Sequence, residues 1–221
     1  MTLKPEVRYA GPFVVFMVLL VLLRTLPLPD LLSQFLFVAL MAVVIWFLAW
    51  PIVDFKVHHW GSTLGIGVLV FLVWIAPDVL SPNYRHHWLF ENSIVGQARG
   101  GLSTVAQGQP AILFFRTLRA VVIVPIVEEL FWRAWLMRWL ISPRFEEIPL
   151  GAWSAQSFWI VAVLFASEHG SYWDVGLAAG IIYNWWMLRT KSLGDLILAH
   201  AVTNACLCAY VVAFGKWEYW A

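Results

Sequence analysis

The sequence predicts an all-α, polytopic membrane bundle of seven or eight helices, and three observations lead there. Of 221 residues, 62% are hydrophobic and only 12% are charged, where a soluble domain carries about 25% charge. Apolar runs of near membrane-crossing length recur along the chain, with a mean hydropathy of +0.77. Fifteen Trp and six Tyr suit aromatic belts at two membrane interfaces. The net charge of +1 gives no hint of nucleic acid as a partner, and the lipid bilayer is the expected surrounding.

Seven runs are expected as spans, at 10–26, 31–50, 60–76, 111–141, 153–169, 172–189 and 192–214. All but the fourth are near or a little under the ~20 residues that a helix needs to cross the hydrocarbon. Pro12 opens the first, Pro27 and Pro29 break the turn that follows it, and Pro51 closes the second, as proline does where a helix cannot continue. The first run ends at Arg24-Thr25-Leu26-Pro27 with no small-residue cleavage site, so it is expected to stay as a membrane segment. The fourth is too long for one crossing and holds Pro125. Either its first third, with Arg116 and Arg119, lies along the interface, or the run is two helices, which would make eight. Between 77 and 110 lies the one long polar segment, with Arg85, His86, His87 and Glu91; loops of that length are usually functional or mobile.

Cys206 and Cys208 sit two apart on one expected helix and point apart, so no bridge forms between them. With no internal repeat or second domain, residues 1–221 form a single domain with a motif-bearing core at about 111–214. With seven spans and the N-terminus inside, Lys4, Arg8, Lys56, Arg138, Arg144, Arg189 and Lys191 are cytoplasmic against Arg24, Arg85, Arg99 and Lys216 outside. The positive-inside rule favours that orientation modestly.

Polar groups interrupt three of the apolar runs. Glu128-Glu129-Leu130-Phe131-Trp132-Arg133 places three ionisable groups in one stretch, although a charge near the bilayer centre costs ~3 kcal/mol on insertion scales. Glu128 and Glu129 lie ~100° apart on a helix. One can therefore face a cavity while the other faces Arg133, four residues on. Phe165-Ala166-Ser167-Glu168-His169 ends the fifth run, and His200-Ala201-Val202-Thr203-Asn204 sits in the last, where His200 and Asn204 share a helix face. Together these groups can activate a water and stabilise an oxyanion. Plainer readings stand beside this one. Glu129 with Arg133 can be a structural ion pair, and His200 with Asn204 an interhelical hydrogen-bonding pair. Glu168 is expected to point toward headgroups, and Asn184 and Asp195 to serve packing or capping, Asp195 near the start of the last helix. His58-His59 and His86-His87 read as interfacial loop residues. A proton-relaying transporter also buries Glu and His, but no repeat symmetry speaks for one.

The ordered set Glu-Glu-x-x-x-Arg, Phe-x-x-x-His and His-x-x-x-Asn, spanning 128–204, resembles the CAAX protease and bacteriocin-processing (abortive-infection) intramembrane endopeptidase family, which includes type II prenyl-protein endopeptidases. The short chain, its tryptophans and the context of residues 128–133 also resemble the CAAX-protease-related proteins of bacterial exosortase-type sorting systems. The resemblance implies an endopeptidase of the bacterial inner membrane acting on a membrane-anchored protein or peptide. Glu128 would be the general base, helped by His169; His200 and Asn204 would serve the oxyanion; Glu129 and Arg133 would support the site. The family is described both as glutamate proteases and as metalloproteases. A metal-free site is expected, with zinc on Glu128, His169 and His200 as the alternative, weakened by the lack of a His-Glu-x-x-His pair. A catalytically silent binding or immunity module is the other alternative. One tension accompanies this reading. Glu128 falls past the middle of the fourth run and His169 at the far end of the fifth, so they share a depth only if the crossing part of the fourth run starts near 119.

Overall fold

The computed structural model describes residues 3–97 and 102–220; Arg99, counted above for orientation, lies outside them. Each of the seven apolar runs forms a helix: α1 Pro5–Thr25, α2 Asp30–Ala49, α3 Trp60–Leu80, α4 Pro110–Trp139, α5 Ala155–Ser167, α6 Trp173–Thr190 and α7 Leu193–Phe214. No strand occurs among the described residues, as the all-α expectation requires. Five of the seven, α1 to α4 and α7, are long and apolar enough to cross a membrane. The other two expected spans are not equivalent to these. α5 has only 13 residues, about 20 Å at the α-helical rise, and α6 carries Asp174 in its first turn and Arg189 in its last.

The fourth run is neither two helices nor a crossing with a detached interfacial third. It is continuous over 30 residues, about 45 Å, and so outreaches a hydrocarbon core of about 30 Å. Wide π turns at Arg119–Ile123 and Leu130–Leu136 flank the two acids. Pro125 sits just beyond the first, where a loosened ladder absorbs the hydrogen bond that proline cannot donate. The tension over depth resolves elsewhere: α5 is short. It stops at Ser167, and Gly170 turns the chain with φ +52° before α6 begins, so His169 is held inside the bundle instead of at its far surface.

Small residues set the closest approaches, as expected where helices gain little hydrophobic drive from lipid. A Cβ at Gly67 of α3 would come within 2.6 Å of the Ala199 carbonyl on α7, and Thr203 Oγ1 donates to the Gly67 carbonyl at 2.8 Å. α1 packs on α4 through Phe13 stacked on Phe131, with ring centroids 4.2 Å apart. Outward-facing Val14, Val18, Trp46, Phe47 and Leu72 are exposed, the apolar coat that a lipid-solvated bundle requires.

At one end of the bundle, Asp195 serves the expected capping role, but for α3 and not for the helix that carries it. Ser192, not Asp195, caps α7 by accepting from the Asp195 N–H at 3.1 Å. The buried Asp195 carboxylate instead accepts from the N–H groups of His58 and His59 at 3.0 and 2.8 Å and from Thr63 Oγ1 at 2.8 Å, tying the start of α3 to the start of α7. The segment between α3 and α4 holds single turns at Tyr84–His86 and Thr104–Gln107. Arg85 fastens it to the bundle through ion pairs with Asp78 at 3.1 Å and Asp174 at 2.6 Å. Both cysteines are free.

Candidate active site

Glu128, His169, His200 and Asn204 line a single cavity of about 180 Å³ bounded by α3, α4, α6, α7 and the chain end at Tyr219 and Trp220. They arrive from three places: the straight stretch between the π turns of α4, the turn after α5, and one face of α7.

The two adjacent acids have unlike surroundings. Glu129 is fully buried and saturated: both its oxygens accept from Arg133 Nη1, at 3.1 and 3.0 Å, and Oε1 lies 2.7 Å from His200 Nδ1. Arg133 Nε donates to Asn184 Oδ1 at 2.9 Å, and Asn184 Nδ2 donates to the Phe158 carbonyl at 2.8 Å. The guanidinium also lies 4.3 Å from the Phe165 ring centroid, a favourable cation–π placement. Glu129 and Arg133 thus pair as expected, and the pair is one segment of a chain from α5 through α6 and α4 to His200. Asn184 belongs to that chain, more than the packing role expected for it. Its partner lies 51 residues away, so no local pattern signals the link. Glu128, by contrast, is buried, yet its Oε2 has no hydrogen-bond partner among the described residues. Buried polar atoms are ordinarily satisfied, so an orphan carboxylate oxygen on a cavity wall is a place for a water or a substrate.

Both imidazoles are fixed through Nδ1. His169 Nδ1 lies 2.7 Å from the Phe165 carbonyl, which can only accept, so Nδ1 carries a proton, and in the neutral ring Nε2 presents a lone pair. A Cβ on Gly176 would come within 3.2 Å of the His169 ring; the glycine leaves room for it on one side, and Trp74 packs edge-on at 5.1 Å. His200 donates through Nδ1 to Glu129 and stacks on Tyr183, at 5.1 Å and 28°. Tyr183 in turn donates to Thr203 Oγ1 at 2.7 Å. Asn204 Nδ2 donates one proton to the Ala120 carbonyl at 2.8 Å, leaving its second N–H without a partner among the described residues.

Glu168 is not headgroup-facing. It accepts from Trp132 Nε1 at 3.0 Å and lines an adjoining cavity of about 260 Å³ with Glu128 and His169. The helix has ended by then, at Ser167, so helical spacing does not set the direction of Glu168. Gly170 was the available signal, as a glycine just past an apolar run marks a helix end. At the cavity wall, Tyr219 donates to Asp78 Oδ2 at 2.7 Å; burial, then that carboxylate, raise the phenol above its ordinary pKa, so it stays protonated. His58 and His59 donate their backbone N–H groups to Asp195, the His59 ring lies 3.7 Å from the same carboxylate, and His86 lies 3.6 Å from Glu91 in the loop.

The imidazoles suit zinc in one respect, since ligating histidines commonly have the other ring nitrogen tied to a carbonyl or carboxylate. Convergence is lacking. Among the described residues no three His, Cys, Asp or Glu side chains come together closely enough to hold an ion. As arranged, Glu128, His169 and His200 do not form a zinc cage.

Residues 110–206 match the family model described as Type II CAAX prenyl endopeptidase Rce1-like. The match covers α4 to most of α7 and holds all three motifs; it gives no support to the finer exosortase-linked grouping. No curated protein and no solved structure matches the chain.

Proposed function

We propose that this protein is an intramembrane endopeptidase that hydrolyses a peptide bond of a membrane-anchored protein or peptide with a water activated by Glu128. The multi-pass bundle and the endopeptidase family of the matched segment support the class. The observation that carries the mechanism is the unpartnered Glu128 oxygen in a cavity shared with His169, His200 and Asn204.

Glu128 takes a proton from the water as it attacks the scissile carbonyl, and the Nε2 lone pair of His169 holds that water in line. The carbonyl becomes a tetrahedral oxyanion, which the free N–H of Asn204 meets. His200 can donate there only if Nε2 also carries a proton, because Nδ1 is already committed to Glu129. In that form the carboxylate beside the ring is Glu129, which Arg133 also holds. Glu128 then returns its proton to the leaving amine, the C–N bond breaks, and the products are a carboxylic acid and an amine. A desolvated site makes such fixed charges more effective than in water. We place the enzyme in a bacterial inner membrane and, within its family, nearest the exosortase-linked proteins, both on the resemblance of the sequence.

The test is a comparison of membrane proteomes from cells carrying the wild-type protein or Glu128→Gln. One or more membrane-anchored proteins should lose a fragment only with the wild type. Identical proteomes, with both proteins present in the membrane at equal levels, would count against hydrolysis and leave a binding or immunity module as the better reading.

A further inference from the structure

The cavity of about 260 Å³ that Glu128, Glu168 and His169 line at one end is lined at the other by Arg24, Arg116 and Arg119. Among the described residues, none of these three cations lies within ion-pair distance of a carboxylate. Arg116 is buried, donates to the Trp220 carbonyl and lies 5.4 Å from the Trp220 ring centroid. Arg119 is half-buried and sits over the Phe37 ring at 4.9 Å, with no hydrogen-bond acceptor among the described residues. Asp30 shares a neighbouring recess with all three, yet its one side-chain partner is Ser103 at 3.4 Å. Burying guanidinium groups is unfavourable unless an anion accompanies them, and a planar fork of donors is suited to a carboxylate.

We propose that Arg24, Arg116 and Arg119 form a subsite for a carboxylate carried by the substrate, which orients the peptide so that its scissile bond reaches Glu128. This rests on the hydrolytic reading above. The shared cavity favours substrate over lipid, because an anion seated there is on the molecule whose bond lies beside the reactive acid. Nine residues of α4 separate Arg119 from Glu128, about 14 Å along the axis, which about four residues of extended peptide bridge. Trp220 in the cavity wall also offers an optical reporter.

The experiment measures binding, by tryptophan fluorescence in phosphatidylcholine nanodiscs, of an N-palmitoylated apolar tetrapeptide with a free C-terminal carboxylate. It is compared with the same peptide as its amide and with an amide carrying one internal Glu. The protein is the Glu128→Gln form, so that binding is read apart from cleavage. The free acid should bind at least about tenfold tighter than the plain amide, as expected for a charge-assisted contact worth about 1.4 kcal/mol. Arg119→Gln should remove that preference and Arg119→Lys restore part of it. Arg116 also holds Trp220, so Arg24→Gln, at an exposed position, serves as the second variant and should weaken the preference without loss of folding. Recovery of tight binding by the Glu-bearing amide would assign the subsite to an acidic side chain; no recovery assigns it to the terminal carboxylate. Equal binding of acid and amide overturns the proposal, as does loss of acid binding when phosphatidylglycerol is added, which would give the arginines to a lipid headgroup. An arginine-dependent preference in a protein that cleaves nothing would instead sink hydrolysis and leave the subsite standing.

Discussion

Two buried acids, Asp195 where α3 and α7 begin and Glu128 in the cavity beneath the other ends of the helices, are opposites in the way they are satisfied. Asp195 accepts from two backbone N–H groups and a hydroxyl, which consumes its lone pairs on holding two helices together. Glu128 leaves an oxygen without any partner among the described residues. Both are carboxylates in a helical bundle, and burial alone does not separate them. Saturation does: a fully bonded acid is a joint, and an orphan one facing a cavity is open to a water or a substrate. Glu129 stands between the two, fully bonded like Asp195, yet bonded to a group that faces the cavity.

The comparison breaks first at Glu128. Glu128→Gln should lower cleavage by more than about 10³-fold, the upper range for loss of a general base acting alone being near 10⁴. It should leave the melting temperature close to the wild-type value, since no bond of the fold is lost. A large drop in thermal stability would move Glu128 into the class of Asp195.

Glu129→Gln should behave as a structural lesion. It leaves Arg133 buried with a neutral partner, and breaking one side of a buried ion pair costs about 3–5 kcal/mol. Thermal unfolding in detergent should show that loss, and yield should fall with it. Wild-type stability with wild-type yield would mean that Arg133 is charge-balanced by something other than Glu129.

Next come the two groups assigned to the oxyanion. His200→Ala and Asn204→Ala should each reduce kcat by about 10²–10³, the usual cost of one such donor. Comparable losses at the two positions fit hydrogen-bond donation. A far greater loss at His200, together with stoichiometric metal in the active preparation and inhibition by a strong chelator, would overturn the metal-free reading.

The smallest effect sharpens the other side. Asp195→Asn keeps one oxygen acceptor and should cost about 1–3 kcal/mol of stability through the unmade bonds, with activity per folded molecule unchanged. A specific loss of turnover there would show that saturation is a poor guide to role.

How far the sequence disclosed this arrangement follows from the range of the interactions concerned. Helices were legible because hydropathy is a sum over about twenty neighbouring residues. Glu128, His169, His200 and Asn204 were legible as a set because their motifs are local, and the structure does bring them to one cavity. Glu168, Asn184 and Asp195 were not. Asn184 acts on Arg133 from another helix, Asp195 caps a helix that begins 135 residues earlier at Trp60, and Glu168 depended on where α5 stops. The depth of His169 was hidden for the same reason: thirteen residues rather than seventeen decide it, and helix ends are the least certain feature of any sequence-based reading.

The π turns of α4 set how this site responds to changes in chain length as opposed to changes in side chain. Each wide turn at Arg119–Ile123 and Leu130–Leu136 carries more residues per revolution than the α-helical ladder around it. Removing one residue within 119–123 would let that turn tighten to the α-helical ladder with little change of facing beyond it, whereas one inserted residue with no wide turn to absorb it would rotate everything beyond by about 100° relative to the residues before it. Glu128 would swing off the cavity wall without any atom of its own being altered. In evolutionary terms the helix tolerates drift in letters better than growth in count, so insertions should be purged from 119–136 even where substitutions are accepted.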